Sequence, residues 1–244
     1  MRNPDYVHSG KRPDRFRRAF TLAELLAVIG IISVLLTLAS VGISRIERGS
    51  ALTAGNSVAE AIFSEARATA IGETTSARVV IHDDRGDTEN PERLHRYLAI
   101  AVSEKGEDGL ANGVWTIRSR GTLLPAGVFF DKDASNRLSQ KIAVNNNGFG
   151  SWGTAQIDFP GGPEGSQPCY YYEFNSQGIC VTQEDSPGGA VVLSDGNKPL
   201  GGDPILDEED KKAFVVWRNG NTSLYQKTED YTRSDSGLRS EEDL

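Results

Sequence analysis

The chain has few of the side chains that bind metals or act as catalytic nucleophiles. Its 244 residues include two cysteines, three histidines and one methionine. No C-x-x-C pair or Cys/His cluster has the spacing of a zinc site, and no local Ser/His/Asp arrangement is typical of a catalytic triad. We therefore predict a protein that is not an enzyme and that has no metal and no cofactor.

Positive charge is scarce outside the first 19 residues. The chain carries −8 overall, and residues 1–19, with six Lys or Arg and two Asp, contribute +4, so the remainder carries −12. Phosphate binding requires a positive surface. We therefore predict that nucleic acid is not a partner of this protein.

Proline is absent from residues 20–72, and this stretch begins with the one long apolar run of the chain. The run from Leu22 to Ile43 has Glu24 as its only charge, and it matches the roughly 20 residues that cross a bilayer as a helix. Inserting a carboxylate into a membrane costs on the order of 2.5–3.5 kcal/mol, so Glu24 is expected to have a function. The basic residues before the run predict that the N-terminus stays in the cytoplasm and that the rest lies outside the inner membrane.

The apolar run continues into an amphipathic stretch. From Ser44 onward, charged residues take one face and apolar residues recur at helical spacing on the other, at Ile46, Leu52, Val58, Ala59, Ile62, Phe63, Ala66 and Ala70. Gly72 is the expected C-terminal end. The pattern predicts one helix over residues 20–72. Its first half spans a membrane or a filament core, and its second half packs on a sheet.

Short runs of β-forming residues follow Gly72, separated by Gly, Pro and Asn clusters that are typical of antiparallel hairpins. The predicted strands are residues 77–81, 94–102, 114–117, 123–130, 155–159, 170–174, 178–182, 190–193 and 213–217. Residues 203–212 are predicted to be an acidic connector, and residues 226–244 a disordered polar tail. The predicted fold class is α+β, with the long N-terminal helix packed on an antiparallel sheet domain.

The start of the chain carries a specific motif. Four arginines precede the sequence Ala19-Phe20-Thr21-Leu22-Ala23-Glu24-Leu25-Leu26-Ala27-Val28-Ile29, which resembles the class III signal of type IV pilins and pseudopilins. The resemblance implies that a prepilin peptidase cleaves between Ala19 and Phe20 and methylates the new N-terminus at Phe20. Glu24 is then the fifth residue of the mature chain and the residue on which assembly depends.

Two positions depart from the usual pattern of this superfamily. Its members usually have Gly before the cleavage site, where this chain has Ala19. Many members also have a proline near the membrane exit of the helix, where this chain has Val41-Gly42. Local melting of the helix during assembly would therefore depend on Gly30 or Gly42.

The later sequence is similar to GspH/FimT-like minor pseudopilins. The helix ends in Ala66-Arg67-Ala68-Thr69-Ala70-Ile71 and a strand follows directly, as in that family. The order of the later turns also matches, at Leu124-Pro125-Ala126-Gly127, Phe174-Asn175-Ser176-Gln177-Gly178 and Trp217-Arg218-Asn219-Gly220-Asn221. Together the resemblances cover most of residues 20–225 and imply the pilin-like fold.

The resemblance implies a minor pseudopilin of the type II secretion system. The expected parts are a cleaved leader (1–19), a transmembrane or filament-core helix (20–43), a globular domain in the periplasm (44–225) and the tail (226–244). The implied partners are the prepilin peptidase, other pseudopilins, the inner-membrane assembly platform and the membrane. The alternatives are a minor pilin of a type IV pilus, including a DNA-uptake version, and a membrane-anchored exported enzyme or binding protein.

Two cysteines leave one question open. Cys169 and Cys180 could close a disulfide loop of about a dozen residues in an oxidising compartment. If residues 175–178 form a hairpin turn, however, Cys180 faces Glu173 instead of Cys169, and the bond geometry is not met. Both alternatives remain open at the level of sequence.

Two further features have a structural and a functional interpretation. Residues 83–89 contain acidic side chains that could bind calcium, as major pseudopilins do, but they lack EF-hand spacing, and a solvated acidic loop is favoured. Arg67 is either an assembly residue or a solvent-facing or sheet-capping residue. We favour the second interpretation because charged helix residues usually face solvent.

Overall fold

The computed structural model describes residues 21–106, 111–142, 152–182, 188–199 and 201–230, except for the side chains of residues 38–48 and 111. Within these residues, two helices, α1 (Leu22–Gly72) and α2 (Lys132–Ile142), accompany ten strands. The strands are β1 (Ala77–His82), β2 (Tyr97–Lys105), β3 (Ala111–Ile117), β4 (Thr122–Leu123), β5 (Val128–Phe130), β6 (Gly153–Ile157), β7 (Gln167–Phe174), β8 (Gly188–Asn197), β9 (Ile205–Trp217) and β10 (Thr222–Tyr225). The predicted α+β class is confirmed.

Helix α1 forms as the periodicity predicts and ends at Gly72. Just beyond the helix end, Thr74 adopts a left-handed backbone, with φ at 51°. The Thr75 amide donates to the Ala70 carbonyl at 3.1 Å and the Thr74 amide to the Ile71 carbonyl at 3.2 Å, which is the Schellman arrangement. The Lys105 ammonium donates to the Glu73 carbonyl at 2.8 Å and thereby attaches the helix end to β2.

The strands form two antiparallel sheets where the sequence predicted one sheet domain. The first has the order β3-β2-β1-β7-β6, with β4 paired to β2, and the second has the order β10-β9-β8-β5. In the first sheet Val79 pairs with Ile100 and with Tyr172. The central strand β1 is therefore hydrogen-bonded on both sides, by β2 and β7.

The main core lies between the domain half of α1 and the two sheets. Phe63 is fully buried at its centre, and its ring contacts Tyr172 and Phe214 at centroid distances of 5.1 and 5.2 Å. Alternate residues of β1, β2 and β7 in the first sheet and of β5, β8 and β9 in the second sheet belong to this cluster. The apolar stripe predicted for this half of the helix is thus buried against residues of both sheets.

The predicted acidic connector at residues 203–212 is wrong, because β9 begins at Ile205. Leu206 pairs with Gly196 and Lys211 with Ser194, so residues 207–210 bulge out of the pairing. The Asp207 carboxylate accepts the amide of Glu209 at 2.8 Å and stabilises the bulge. The acidic residues interrupt the strand locally without ending it.

Helix α2 is absent from the sequence-based prediction. Asp131 caps it, since its carboxylate accepts the amide of Ala134 at 2.8 Å. Ala134 and Leu138 are buried in a second cluster against the outer face of the second sheet. Most of the helix is polar, so its few apolar residues gave too short a pattern to predict it.

Two other segments differ from expectation. Residues 178–182, predicted as a strand, form one isolated bridge, between Cys180 and Phe174. Residues 226–230, predicted as the start of a disordered tail, include a 3-10 turn at Thr228–Asp230. The rest of the predicted tail, and the leader with Ala19 and Phe20, lie outside the described residues.

Candidate functional site

The first turn of α1 holds the predicted assembly residue, Glu24. Its carboxylate accepts the Thr21 amide at 2.9 Å and the Thr21 hydroxyl at 3.0 Å. The Thr21 hydroxyl oxygen in turn accepts the Glu24 amide at 3.2 Å. This is a capping box, in which a Thr and a Glu three residues apart satisfy the free amides of a helix start. The sequence pattern points to Glu24 and predicts no role for Thr21.

The apolar stretch from Leu22 to Leu36 presents its large side chains to solvent. Leu22 is 77 % exposed and Leu36 is 65 % exposed. The hydroxyl groups of this stretch donate hydrogen bonds within the helix. The Ser33 hydroxyl donates to the Ile29 carbonyl at 2.8 Å, and the Thr37 hydroxyl donates to the Ser33 carbonyl at 2.9 Å. Among the residues that the structure describes, no helix has the length and apolar character needed to cross a membrane.

Arg67 lies at the other end of α1, where it joins the helix to two turns. Its Nε donates to the Gly178 carbonyl and its Nη1 to the Asn221 side-chain oxygen, each at 3.2 Å. A Cβ at Gly220 would lie 2.2 Å from the Gly178 carbonyl and 2.5 Å from Arg67 Nε. The contacts support the sheet-capping interpretation of Arg67. They also explain the glycine at position 220.

The cysteines are free, so no disulfide joins Cys169 and Cys180 in the structure. The hairpin turn at residues 175–178 is present, with the Gly178 amide bonded to the Asn175 carbonyl at 2.8 Å. Cys180 belongs to the main core, whereas Cys169 lies in a cluster on the opposite face of the first sheet. Burial also raises the pKa of Cys169 to about 12, which keeps its thiol protonated.

The loop proposed as a calcium candidate uses its carboxylates to bind its own backbone. Asp84 accepts the Gly86 amide at 2.7 Å, and Asp87 accepts the Asn90 amide at 2.8 Å. Arg85 pairs with Asp203 at 2.6 Å. Within the described part of the chain, no group of three or more His, Cys, Asp or Glu residues is arranged to hold a metal. These contacts favour the structural interpretation of the loop.

The two histidines of the domain, scattered in sequence, are neighbours in space. The His95 amide donates to the His82 carbonyl at 2.9 Å. His95 Nε2 contacts the Asp83 carboxylate at 2.7 Å, and His82 Nε2 contacts Gln167 at 3.2 Å. Burial lowers the pKa of His82. Each ring is thus held by a polar neighbour beside the loop that follows β1.

A buried ion pair connects the start of α2 to the second sheet, and no sequence pattern predicted it. The Lys211 ammonium donates to the Asp131 carboxylate at 2.8 Å and to Glu208 at 3.0 Å. The Ser194 hydroxyl also donates to Asp131 at 2.8 Å. Burial acts to raise the pKa of Asp131, but the hydrogen bonds that it accepts from the Ala134 amide, Lys211 and Ser194, with the charge of Lys211, lower this pKa overall. Asp131 and Lys211 are 80 residues apart, so no local pattern could have paired them.

The start of the chain matches a known family of sequences. Residues 14–40 match the family model of the prokaryotic N-terminal methylation motif. The match includes the Ala19-Phe20 junction and Glu24. The start of the chain therefore carries a prokaryotic N-terminal methylation motif, which confirms the resemblance for this segment.

The chain is also similar to a solved structure, the type IV minor pilin FimU of Pseudomonas aeruginosa. The identity is 11 %, the TM-score is 0.34, and the alignment covers 75 % of this chain and 91 % of that one. No curated protein matches the chain.

Proposed function

We propose that this protein is a minor pseudopilin of a type II secretion system. In this role it is a structural subunit that enters a short filament through residues 20–43 and supports protein export. The observation that carries the proposal is the methylation motif over residues 14–40, with Glu24 in the first turn of the long helix. The domain built around α1 then presents its surface to neighbouring subunits or to cargo.

The proposed assembly step is an exchange of partners at Glu24. In the single chain the carboxylate bonds to Thr21 at an exposed helix end. In a dry filament core, an unpaired carboxylate and an unpaired α-amine are both costly. Cleavage creates an amine at Phe20, and its pairing with Glu24 of the same or a neighbouring subunit satisfies both charges. When the pairing joins two subunits, only one axial offset between them allows it, so it also sets their register.

Cleavage, methylation and assembly require particular partners and a membrane location. A prepilin peptidase cleaves after Ala19 and methylates Phe20, and an inner-membrane assembly platform adds the subunit to the others. Before assembly, residues 20–43 anchor the chain in the inner membrane, with the domain in the periplasm. The apolar side chains exposed from Leu22 to Leu36 support this assignment, because lipid or other subunits would cover them.

Mass spectrometry of the protein extracted from membranes tests the proposal. We expect an N-terminus at Phe20 carrying one added methyl group. The matched control is a strain with an inactive prepilin peptidase, in which the chain should keep Met1. An intact Met1 terminus in cells with an active peptidase would refute the proposal.

The neighbours of the subunit distinguish a pseudopilus from a type IV pilus. We expect cysteines placed in residues 22–36 to crosslink to pseudopilins, and deletion of the gene to impair secretion with pili unaffected. Crosslinks to pilins together with loss of pili would favour the alternative of a type IV minor pilin. Retention of both secretion and pili would favour an anchored exported enzyme or binding protein.

A further inference from the structure

Three charged side chains meet where the start of α2 lies against the second sheet. The Lys211 ammonium of β9 contacts the Asp131 carboxylate at 2.8 Å and the Glu208 carboxylate at 3.0 Å. Asp131 lies between β5 and α2, and Glu208 lies in the bulge that interrupts β9. A single amine is therefore in direct contact with two carboxylates.

The amine and the first carboxylate are closed off from water, whereas the second carboxylate reaches it. The side chain of Lys211 is 0 % exposed and that of Asp131 is 5 % exposed, against 48 % for Glu208. Removing two opposite charges from water is costly, and the attraction between them often fails to offset the cost. A reaction that removes both charges would relieve this cost.

The two carboxylate oxygens of Asp131 have different surroundings. Oδ1 accepts the Ala134 amide at 2.8 Å, so a fixed backbone donor stabilises negative charge on this oxygen. Oδ2 accepts the Lys211 ammonium and the Ser194 hydroxyl, each at 2.8 Å. Donors placed in this way stabilise the oxyanion that forms when a nucleophile attacks a carboxyl carbon. The Asp131 carboxyl group is thus arranged for attack by the neighbouring amine.

The backbone of β8 holds the amine and the carboxyl group together. Lys211 pairs with Ser194 across β8 and β9, and the Asp131 amide donates to the Val192 carbonyl of β8 at 2.9 Å. Both reacting residues are therefore fixed to the same strand. Holding two groups in contact replaces their encounter in solution and can raise the rate of a reaction between them by many powers of ten.

We propose that Lys211 and Asp131 form an intramolecular amide bond, with Glu208 as the proton relay. A bond forms between Lys211 Nζ and the carboxyl carbon of Asp131, and the bond from that carbon to Oδ2 breaks. Of the three protons of the ammonium group, one stays on the amide nitrogen and two leave with Oδ2 as water. The reaction consumes no oxidant, reductant or further reactant.

The contacts of the site supply each proton transfer. The hydrogen bonds of Asp131 hold its pKa below the ordinary value, so the reactant is the ion pair that the structure shows. Glu208 takes a proton from the ammonium group and so frees the nitrogen lone pair for attack. The same carboxyl group then returns the proton to Oδ2 as water leaves. Burial keeps out the water that hydrolysis of the product would require.

The amide bond would attach the start of α2 covalently to β9. It would join residues that are 80 positions apart in the chain. Both cysteines are free, so no disulfide gives the domain a link of this kind. The proposal goes beyond the filament function, and it holds whichever assembly the subunit joins.

Peptide mapping of the processed full-length chain, extracted from membranes, tests this proposal. Trypsin together with a protease that cuts after glutamate should release residues 121–132 joined to residues 210–212. The mass of the joined peptide should be lower than the sum of the two by one water molecule, and fragmentation should place the link between Asp131 and Lys211. Both segments belong to the domain, so the result is independent of cleavage after Ala19.

Variants separate the reaction from the ion pair. Lys211→Arg keeps the positive charge, removes the reacting amine and should abolish the joined peptide. Glu208→Gln should slow the joining by about a hundredfold, as followed at intervals after a pulse of labelled amino acids. Glu209→Gln changes the next carboxylate of the bulge, which is also exposed, and as the matched control should join at the parent rate. The circular dichroism spectra of the variants must match that of the parent, which separates loss of the reaction from loss of folding.

Three results would overturn the proposal. The first is recovery of two separate peptides from the folded parent with no joined peptide, which would leave Lys211 and Asp131 as an ion pair only. The second is a joined peptide in Lys211→Arg, which would place the link at another amine. The third is joining of Glu208→Gln at the parent rate, which would show that Glu208 is not the relay.

Discussion

The two described stretches of α1 differ in what covers their apolar side chains. From Leu22 to Leu36 the large apolar side chains are about half exposed or more, whereas Phe63, Ala66 and Ala70 are fully buried. The backbone is helical in both stretches. Helix formation and burial are therefore separate requirements. The domain stretch finds its partners within the chain, whereas the first stretch stays exposed in the single chain.

The polar contacts of the two stretches differ in the same way. Glu24, Ser33 and Thr37 bond to residues three or four positions away in the same helix. Arg67 bonds to residues 111 and 154 positions away. The first stretch therefore has polar groups that are satisfied locally and can change partners at small cost. The domain stretch is fixed by contacts that only the complete fold supplies.

The largest expected effect comes from the core of the domain stretch. Phe63→Ala should lower the free energy of unfolding by about 3–5 kcal/mol, because it opens a cavity among three aromatic rings. Urea unfolding of a chain lacking residues 1–44, followed by circular dichroism, measures the change. That shortened chain should itself be soluble with mixed helix and strand signals. A Phe63→Ala change below about 1 kcal/mol would contradict the central position of this ring.

The buried ion pair is expected to have a somewhat smaller effect. Lys211→Met should lower the free energy of unfolding by about 3 kcal/mol, because it leaves the buried Asp131 carboxylate without its cation. The neighbouring Lys212→Met is the matched control and should change stability by less than about 0.5 kcal/mol. Thermal unfolding of the shortened chain compares the two variants. Equal effects would show that the pair contributes nothing specific.

Glu24→Ala should affect assembly and leave the domain unchanged. Loss of the charge partner of the Phe20 amine should lower the crosslinked fraction by about a hundredfold. The variant should still be processed after Ala19, because the peptidase acts on the leader and the junction. Thr21→Val, which removes the hydroxyl partner of Glu24 and keeps the carboxylate, is the control. Normal crosslinking of Glu24→Ala would exclude the proposed exchange of partners.

The smallest effect concerns pH. Burial lowers the pKa of His82 from its ordinary value of 6.5, so the unfolded chain binds a proton at higher pH than the folded chain. The free energy of unfolding should therefore fall as the pH falls below about 6.5, with a slope of at most about 1.4 kcal/mol per pH unit. His82→Phe should remove this part of the slope between about pH 7.5 and 5.5 in unfolding titrations. An unchanged slope would show that His82 does not titrate differently in the two states.

The sequence predicted the features that have a local pattern. The long helix follows from periodicity and from the lack of proline, and Glu24 stands out as one charge in an apolar run. Helix α2 was missed because Ala134 and Leu138 are its few buried apolar residues. The division into two sheets and the contact of Lys211 with Asp131 join segments far apart in the chain, so local spacing carries no information about them.

Arg67 and Lys105 give the end of α1 a mechanical property. Arg67 ties the last turns of the helix to the Gly178 carbonyl, and Lys105 of β2 holds the Glu73 carbonyl that directly follows the helix. A force applied to the first residues of the helix would act on these two hydrogen bonds and on the Phe63 contacts at the same time, in shear along the helix axis. We expect detachment of the helix to require a higher force than peeling of β10 from its edge, and Arg67→Ala to lower that force. Optical-tweezer pulling from the start of α1, and in a second experiment from the end of β10, would measure both forces.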